Sequence, residues 1–487
     1  MEKQSIKEEA SAKDQATFKS RSRAALTDQN LQQALTAIGK GFVKKRQNAI
    51  DNCPDFKALS DEAVAIKTHT LQNSRHYLTQ FESALKKAGG WLHYASTPDD
   101  ARKVITTIAH EAGAKTIVKG KTMVGEEIDL LEHLTGEGFE CTETDLGEYL
   151  IQLRGERPSH IIAPALHLTR GQIRKDFQNH HKAFYKNKDA ARPLETPEDF
   201  VKEARSVLRE KFLNADLGIT GANLLIAESG ASIIVTNEGN GDLCRTLPKT
   251  HIVITSFEKL VPTFNDAAVI LRLLARSATG QPISTYTTLT SGPNLHKGQA
   301  MHVVLLDNGR SEMLASEFSE MLRCIRCGAC LNHCPIYQNI GGHAYGEIYP
   351  GPMGAVLSPH FFGQRASELP FASTFCGRCN EVCPMQIPLT NLMRRWRQST
   401  AAAESWHQTA GMKLWAWFAA RPKLYNFMVK TTWPLVRRLV NHPVLGPKLP
   451  LLNKWAQHRA PLQLAAQSFQ AELKQSVTRN GANHETQ

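Results

Sequence analysis

The chain has 487 residues, of which 41% are hydrophobic and 21% are charged, as in a globular protein with a sizeable core. Its best candidate for a membrane span, residues 414–420, is much shorter than the roughly 20 apolar residues that a spanning helix needs. The N-terminus is polar and charged, without the apolar stretch of a signal peptide. We therefore expect a cytoplasmic protein, in which clustered cysteines bind metal or carry out redox chemistry rather than form disulfides.

The formal net charge of +12 is concentrated at the C-terminal end. Residues 391–487 contain 14 Lys and Arg against 3 acidic residues, a balance of +11. Composition alone leaves open an acidic partner, a membrane surface or nucleic acid. Tryptophans lie among these basic residues, and no nucleic-acid-binding module accompanies them. We therefore expect a docking surface for a partner subunit, with peripheral membrane contact as the alternative and no nucleic-acid binding.

Four regions follow one another along the chain. Residues 1–90 predict a helical region, in which Pro54 and Asp55 mark the start of one helix. Residues 91–305 alternate predicted strands and helices, which indicates an α/β domain with a largely parallel sheet. Residues 306–397 are rich in cysteine, and residues 398–487 hold basic helical segments broken by prolines.

The predicted elements of the α/β region follow from short β-branched runs and from helix start signals. Thr97 is a candidate N-cap, with Pro98 in the first turn of the helix that follows. The predicted helices are 99–111 and 201–213, and the predicted strands are 116–118, 160–163, 232–236 and 251–255.

A cysteine motif of iron–sulfur proteins begins at residue 324. Its spacing, C-x2-C-x2-C-x3-C-P, is the one that binds [4Fe–4S] clusters in bacterial ferredoxins, and it comprises Cys324, Cys327, Cys330, Cys334 and Pro335. Three thiolates two residues apart on a tight turn can reach one cubane, whereas the fourth usually ligates the other cluster. Gly328 permits close backbone approach, so that amides can hydrogen-bond the sulfurs.

A second run repeats this motif without its first cysteine. It comprises Cys376, Cys379, Cys383 and Pro384, and Ser373 stands where the first cysteine would be. By the crossing rule, cluster one uses Cys324, Cys327, Cys330 and Cys383, whereas cluster two uses Cys334, Cys376 and Cys379. Cluster two then lacks a fourth thiolate. Three outcomes remain open: a [3Fe–4S] centre, an oxygen ligand such as Ser373 or water, or a ligand from a partner protein.

Zinc is the competing metal for these cysteines. Zinc prefers four ligands arranged in pairs, such as a repeated C-x2-C. Two C-P endings and a run of three cysteines spaced by two residues fit that arrangement poorly, so the motif favours iron–sulfur clusters.

Glycine-rich turns follow the apolar runs of the α/β region. Four glycines lie near predicted strand ends, where open sheets place ligand crevices: Gly221, Gly230, Gly239 and Gly241. We therefore predict a ligand crevice, with Glu228 and Glu238 as the acids that a catalyst would use. The alternative is that the glycines only form turns and that both acids are solvated.

Other polar residues in this region receive structural interpretations. Lys115, Lys119 and Lys121 are interpreted as a solvated strand end rather than an anion site, and His160 and His167 as structural histidines. The three isolated cysteines are interpreted as small apolar residues, and they are Cys53, Cys141 and Cys244.

Motifs from both regions occur in the same order in the LutB family of iron–sulfur subunits. The chain resembles this family at 119–128, 144–149, 160–167, 221–240 and both cysteine runs, with a likeness that extends over residues 60–480. The resemblance implies a LUD domain at 91–305, similar in fold to the NagB/RpiA/CoA-transferase group. It also implies an α-helical ferredoxin domain at 306–397, and the 41 residues between Cys334 and Cys376 favour that type over a compact ββα ferredoxin.

The resemblance further implies a role in oxidising L-lactate to pyruvate, together with LutA-like and LutC-like partners. We expect two [4Fe–4S] clusters and an electron-transfer subunit rather than an enzyme by itself, because clusters accept and pass on single electrons. Two alternatives stay open. Either the LUD domain is a small-acid-binding or catalytic unit with structural clusters, or the chain carries electrons for another 2-hydroxy acid, such as glycolate. The electron acceptor is not predicted.

Overall fold

Two β-sheets form the centre of the computed structural model, which describes residues 17–181, 194–401 and 406–443 and short pieces between 445 and 473. The larger sheet has six strands in the order β1-β10-β7-β4-β2-β3, and every neighbouring pair is parallel. The smaller sheet has the order β8-β5-β6-β9 and is mixed. The strands are β1 Trp91–Ala95, β2 Thr116–Lys119, β3 Glu140–Glu143, β4 Leu217–Thr220, β5 Leu224–Ile226, β6 Ala231–Thr236, β7 Thr250–Thr255, β8 Leu260–Val261, β9 Tyr286–Thr290 and β10 Ala300–Leu306.

The apolar runs of the sequence form these strands because both faces of the parallel sheet are covered. Every residue of β4 and β7 is buried, as is typical of central parallel strands. The strands predicted at 116–118 and 251–255 are β2 and β7. The strand predicted at 232–236 is β6, which lies in the smaller sheet and pairs antiparallel with β5 and β9.

The strand predicted at 160–163 does not form, so that prediction was wrong. The segment is a turn, in which Nδ1 of His160 accepts hydrogen bonds from the amides of Ile162 and Ala163, both at 3.0 Å. These amides are therefore engaged locally and do not pair with a neighbouring strand. An apolar run does not reveal this, because the competing acceptor is a side chain.

Helices cover the sheets in the described part of residues 17–401. Thr97 is the N-cap of the helix that starts at Pro98, as predicted, and it also forms a capping box with Asp100. The helix predicted at 201–213 begins earlier, at Pro197, because Thr196 and Asp199 form a second capping box. The helices are Phe18–Thr27, Gln29–Ile38, Lys44–Asp51, Phe56–Gln72, Ser74–Lys87, Pro98–Glu111, Met123–Glu127, Leu130–Gly136, Leu146–Arg154, Arg170–His180, Pro197–Leu213, Asn240–Thr246, Phe264–Ala278, Arg310–Leu314, Ala329–Asn332, Tyr337–Ile340, Gly351–Phe362, Arg378–Glu381 and Leu389–Ala401.

One continuous apolar core joins the N-terminal helices, the smaller sheet and the cysteine-rich region. Leu35 and Leu59 of the N-terminal helices, Ile226 of β5, Ile270 and Met321 all belong to this buried cluster. The cysteine-rich region is therefore packed directly on the α/β region. A rigid junction of this kind holds cysteines and sheet residues at constant separations.

Residues 401–487 form a second unit. Its described helices are Trp406–Ala419 and Pro422–Val440. Trp433 donates a hydrogen bond from Nε1 to the carbonyl oxygen of Ala465 at 3.2 Å, which ties the second helix to a later segment of the unit. None of the described helices has both the length and the apolar character that crossing a membrane requires.

Candidate iron–sulfur centre and adjoining cavity

The first cysteine run turns tightly because two of its residues have left-handed backbone conformations. Arg326 has a φ of 58° and Gly328 a φ of 73°, and the short helix Ala329–Asn332 follows at once. This path brings the amide of Ala329 within hydrogen-bonding reach of the Cys327 sulfur. Amide hydrogen bonds of this kind favour the thiolate, which is the form that binds metal.

The second cysteine run repeats this backbone path. Phe375 has a φ of 54° and Gly377 a φ of 82°, and the helix Arg378–Glu381 follows. When the two runs are aligned on their cysteines, Phe375 and Gly377 occupy the positions of Arg326 and Gly328. The conformational repeat therefore starts three residues before Cys376, at Ser373, which takes the place of Cys324. The Ser373 hydroxyl accepts a hydrogen bond from the amide of Phe375 at 3.1 Å.

The seven motif cysteines fall into two neighbouring groups in space. Four of them line a single hollow, and they are Cys324, Cys327, Cys330 and Cys383. The other three, Cys334, Cys376 and Cys379, interact electrostatically with one another. Cys330 of the first group also interacts with Cys379 of the second, so the two groups adjoin.

The residues around the hollow fit an iron–sulfur cluster. Apart from the four cysteines, the hollow is lined by apolar side chains such as Met321, Ile325 and Leu389, and its lining includes no Asp, Glu or His. An all-sulfur donor set favours iron–sulfur clusters or zinc over hard cations such as Mg²⁺. Burial raises the pKa of Cys327 to about 12 and that of Cys383 to about 11, so these thiols lose their protons when metal binds.

A buried ionic network joins the first cysteine run to the α/β region. Arg326 lies 3.6 Å from Glu258 and stacks its guanidinium 4.9 Å from the ring centroid of Tyr349. Glu258 also forms an ion pair with Arg310 at 2.9 Å. Arg310 in turn forms a bidentate ion pair with Glu127, with N–O distances of 2.9 and 2.7 Å. The sequence did not predict this network, because its members are far apart along the chain and no local pattern pairs them.

A cavity of about 350 Å³ lies beside this network, at the carboxyl ends of β2, β4 and β7. Such strand ends are the usual ligand sites of parallel sheets. Gly221 and Gly241 line the cavity, as does Glu238, which agrees with the predicted crevice. Gly230 and Gly239 are not part of its lining. Glu228 is not part of it either, and its carboxylate accepts a hydrogen bond from the amide of Phe264 at 2.7 Å.

The lysines around Gly120 have different environments, and the prediction of a solvated strand end was wrong for Lys119. This side chain is only 1% exposed and pairs with Glu126 at 2.7 Å and with Glu143 at 2.6 Å. Burial alone would lower the pKa of Lys119, but the charges of Glu126, Glu143 and Glu148 outweigh it and raise that pKa. Lys121 instead lines the cavity, where its ammonium donates to the carbonyl oxygen of Ile162 at 2.7 Å.

Of the two singled-out histidines, His160 fits the structural role predicted for it. His160 is buried, and its Nε2 lies 3.0 Å from Oδ1 of Asn332, a residue of the first cysteine run. Burial lowers the pKa of His160 to about 3, so the ring is neutral. His167 contacts Glu156 at 2.8 Å and Ser159 at 2.9 Å.

Of the isolated cysteines, Cys53 and Cys244 are buried, in agreement with their interpretation as small apolar residues. Cys141 is half-buried. None of the three contributes to the hollow that holds the motif cysteines.

Comparison with known proteins agrees with this arrangement. A LUD domain model matches residues 78–306, a 4Fe-4S dicluster domain model matches 320–387, and a model of the lactate utilisation protein B C-terminal region matches 394–477. The chain is therefore an iron–sulfur protein with an α/β LUD domain.

Curated relatives resemble the chain over nearly its whole length. A Bacillus pumilus protein named lactate utilization protein B is 39% identical, over 91% of this chain and 93% of the relative. The Bacillus subtilis protein of the same name is 42% identical, over 80% of each chain. An Escherichia coli protein described as the uncharacterized electron transport protein YkgF is 37% identical, over 96% of this chain and 98% of the relative. The chain belongs to the lactate utilization protein B family.

Proposed function

We propose that the protein is the iron–sulfur electron-transfer subunit of a system that oxidises L-lactate to pyruvate. The observation that carries this proposal is the grouping of seven motif cysteines into adjoining sets of four and three. Family membership supplies the substrate. When bound, the clusters provide one-electron redox centres, which suit a subunit that passes on the two electrons of lactate oxidation one at a time.

The ligand assignment is part of this proposal. Cluster one is held by the four cysteines that line the hollow: Cys324, Cys327, Cys330 and Cys383. Cluster two, also a [4Fe–4S] centre, is held by Cys334, Cys376 and Cys379. Its fourth iron is then ligated by an oxygen ligand or by a partner residue. The alternative at this site is a [3Fe–4S] centre, which lacks that iron. The serine that replaces the first cysteine, Ser373, is the candidate oxygen ligand from this chain.

The surrounding chain prepares both sites for electron transfer. Amide hydrogen bonds to the cysteine sulfurs stabilise negative charge, and the apolar lining excludes water. Both effects tune the reduction potential of a cluster. The interaction between Cys330 and Cys379 supports a direct path from one cluster to the other.

Partners complete the proposed system. We propose that LutA-like and LutC-like subunits work with this chain, and that its basic C-terminal unit docks one of them rather than nucleic acid. Exposed apolar side chains on the described helices of that unit, such as Trp415, Phe427 and Leu435, support a docking role. Peripheral contact with a membrane is the competing role. The likeness of the LUD domain to the NagB/RpiA/CoA-transferase group likewise stays a proposal.

The test starts with protein purified without oxygen. About eight irons per chain, with matching acid-labile sulfide, are expected for two [4Fe–4S] centres, and about seven for a [3Fe–4S] centre at the second site. In the presence of the partner subunits, L-lactate should reduce the clusters, as followed by EPR. Zinc in place of iron, or clusters that stay oxidised with L-lactate and all partners present, would contradict the proposal.

A further inference from the structure

Two histidines and a glutamate form a cluster where the α/β region meets the cysteine-rich region. They are Glu156, His167 and His343, and one ligand atom of each lies within 4.8 Å of those of the other two. Nε2 of His167 is 2.8 Å from Oε2 of Glu156, and the rings of His167 and His343 have centroids 4.4 Å apart. None of the three lines the cysteine hollow or the cavity, so the cluster is a separate place in the fold.

The hydrogen bonds around His167 show which of its ring nitrogens carries a proton. Oγ of Ser159 lies 2.8 Å from the carbonyl oxygen of Pro164 and 2.9 Å from Nδ1 of His167. Because a carbonyl oxygen only accepts, the hydroxyl donates its proton to Pro164 and accepts from the Nδ1–H of His167. In the neutral ring Nε2 then has a lone pair, which faces the Glu156 carboxylate. Two acceptors 2.8 Å apart need a cation between them, either a second ring proton or a metal ion.

The second histidine favours the metal ion over the proton. A proton joins only two of the three ligand atoms, whereas a metal ion binds all three at once. His343 donates a hydrogen bond from Nε2 to the carbonyl oxygen of Arg157 at 2.6 Å, so Nδ1 has the lone pair of its neutral ring. Both histidines thus direct one ring N–H to an oxygen acceptor, as metal-binding histidines almost always do.

The carboxylate of the cluster is oriented by a hydrogen bond of its own. Oε1 of Glu156 accepts from Nε of Arg154 at 3.0 Å, and Arg154 also pairs with Asp176 at 3.1 Å. Because Asp176 balances the charge of Arg154, the charge of Glu156 can stabilise a bound cation. All three members of the cluster are therefore held by neighbouring groups, which is how proteins orient the ligands of a metal ion.

We propose that Glu156, His167 and His343 bind one Zn²⁺ ion. Two imidazoles and one carboxylate form an established ligand set for zinc, in which water takes the fourth position. The side chain of His167 is only 11% exposed, whereas His343 is exposed, so the site is open to solvent beside His343. This site lies beyond the proposed electron-transfer function and does not depend on it.

The zinc ion fastens the two domains to each other. Glu156 and His167 lie in the part of the chain that matches the LUD domain, and His343 lies in the part that matches the dicluster domain. Tyr337 supports the same junction, since its hydroxyl donates to the carbonyl oxygen of Ser159 at 2.7 Å. Zinc binds only where these segments meet, so it should raise the melting temperature of the protein.

The test is zinc binding to the full-length, cluster-loaded protein without oxygen, measured by equilibrium dialysis and elemental analysis. We expect one zinc per chain with the iron content unchanged. X-ray absorption at the zinc edge should show only nitrogen and oxygen ligands, at about 2.0–2.2 Å. Sulfur ligands at about 2.3 Å would place the zinc on cysteines and overturn the site. Mg²⁺ should not displace the zinc, since imidazole suits zinc and not hard cations, and effective competition by Mg²⁺ would refute the assigned ion.

Variants identify the ligands. His343→Ala and Glu156→Gln should each weaken zinc binding at least about 100-fold, because even the hydrogen-bond partners of metal ligands contribute about 10–100-fold. His296→Ala is the matched control, since His296 is an exposed histidine outside the cluster, and it should bind zinc like wild type. Iron content and melting curves of each zinc-free variant show whether it folds and keeps its clusters. The proposal is refuted if wild type binds no zinc, or if His343→Ala and Glu156→Gln both bind it as tightly as wild type.

Discussion

Replacement of Arg310 by leucine tests whether the buried ionic network holds the cysteine-rich region on the α/β region. Arg310 is completely buried, and its guanidinium is shared between Glu127 and Glu258, with the ring of Phe361 at 4.6 Å. Leucine keeps the apolar contacts of the side chain. It removes the one cation that hydrogen-bonds both carboxylates, so each buried carboxylate loses its direct ion pair with Arg310.

The size of the effect follows from this geometry. Removal of one partner from a buried ion pair costs about 3–5 kcal/mol, because the other charge remains desolvated. Arg310→Leu leaves two such carboxylates, so we expect the upper part of that range. Burial alone would raise the pKa of Glu258, but the charges of Arg310, Arg326 and Lys259 lower it to about 2. Without Arg310 this pKa should rise, so the stability deficit should shrink as the pH falls.

The assay is urea unfolding of the cluster-loaded protein without oxygen, with circular dichroism and iron release as readouts. Arg272→Leu is the control, because Arg272 pairs with Asp55 at 2.6 Å with its side chain 47% exposed. Such surface pairs contribute at most about 1 kcal/mol. The double variant Arg310→Leu/Glu127→Gln should regain part of the loss, since it removes one uncompensated charge. Equal stability of Arg310→Leu and Arg272→Leu would refute the reasoning.

Three further predictions concern the cysteines, a buried acid and a close backbone contact. Cys327→Ser and Cys383→Ser should each abolish the EPR signal of cluster one, and Cys379→Ser should abolish that of cluster two. Cys141→Ser is the control. Unchanged iron content in all three motif variants would contradict the ligand assignment. Burial raises the pKa of Glu148 from 4.5 to about 7, so its stabilising effect is complete below pH 4.5 and is lost as the pH rises through 7. Between pH 5 and 8 the urea midpoint of Glu148→Gln should therefore fall less than that of wild type. An equal fall of the two midpoints would disprove the raised pKa of Glu148. Gly342→Ala should lower the free energy of unfolding by about 3 kcal/mol, because the new methyl group would lie 1.7 Å from the carbonyl oxygen of Ser159. Gly171→Ala is the control, which should be neutral or stabilising because there is open space around Gly171. Similar urea midpoints for the two variants would argue against this contact.

The sequence alone predicted the features that depend on neighbouring residues. The cysteine spacing indicated iron–sulfur binding, because three ligands of one cluster come from a single tight turn. The N-cap Thr97 and the buried strand β7 were likewise predicted, since helix caps and apolar runs depend on only a few neighbouring residues. These features depend on local backbone geometry and therefore appear as short patterns.

The tertiary structure decided which side chains meet. Lys119 looked like part of a solvated strand end, yet β3 and the helices Met123–Glu127 and Leu146–Arg154 surround it with three glutamates. Arg326 looked like a spacer between cysteines, yet it lines a cavity at the ends of strands that precede it by 71 to 210 residues. Burial and charge pairing depend on contacts between segments distant in sequence, and no local pattern encodes them. For that reason the cysteine motif and a crevice at the strand ends could be predicted from the sequence, whereas the place of Arg326 in the wall of that crevice is visible only in the folded chain.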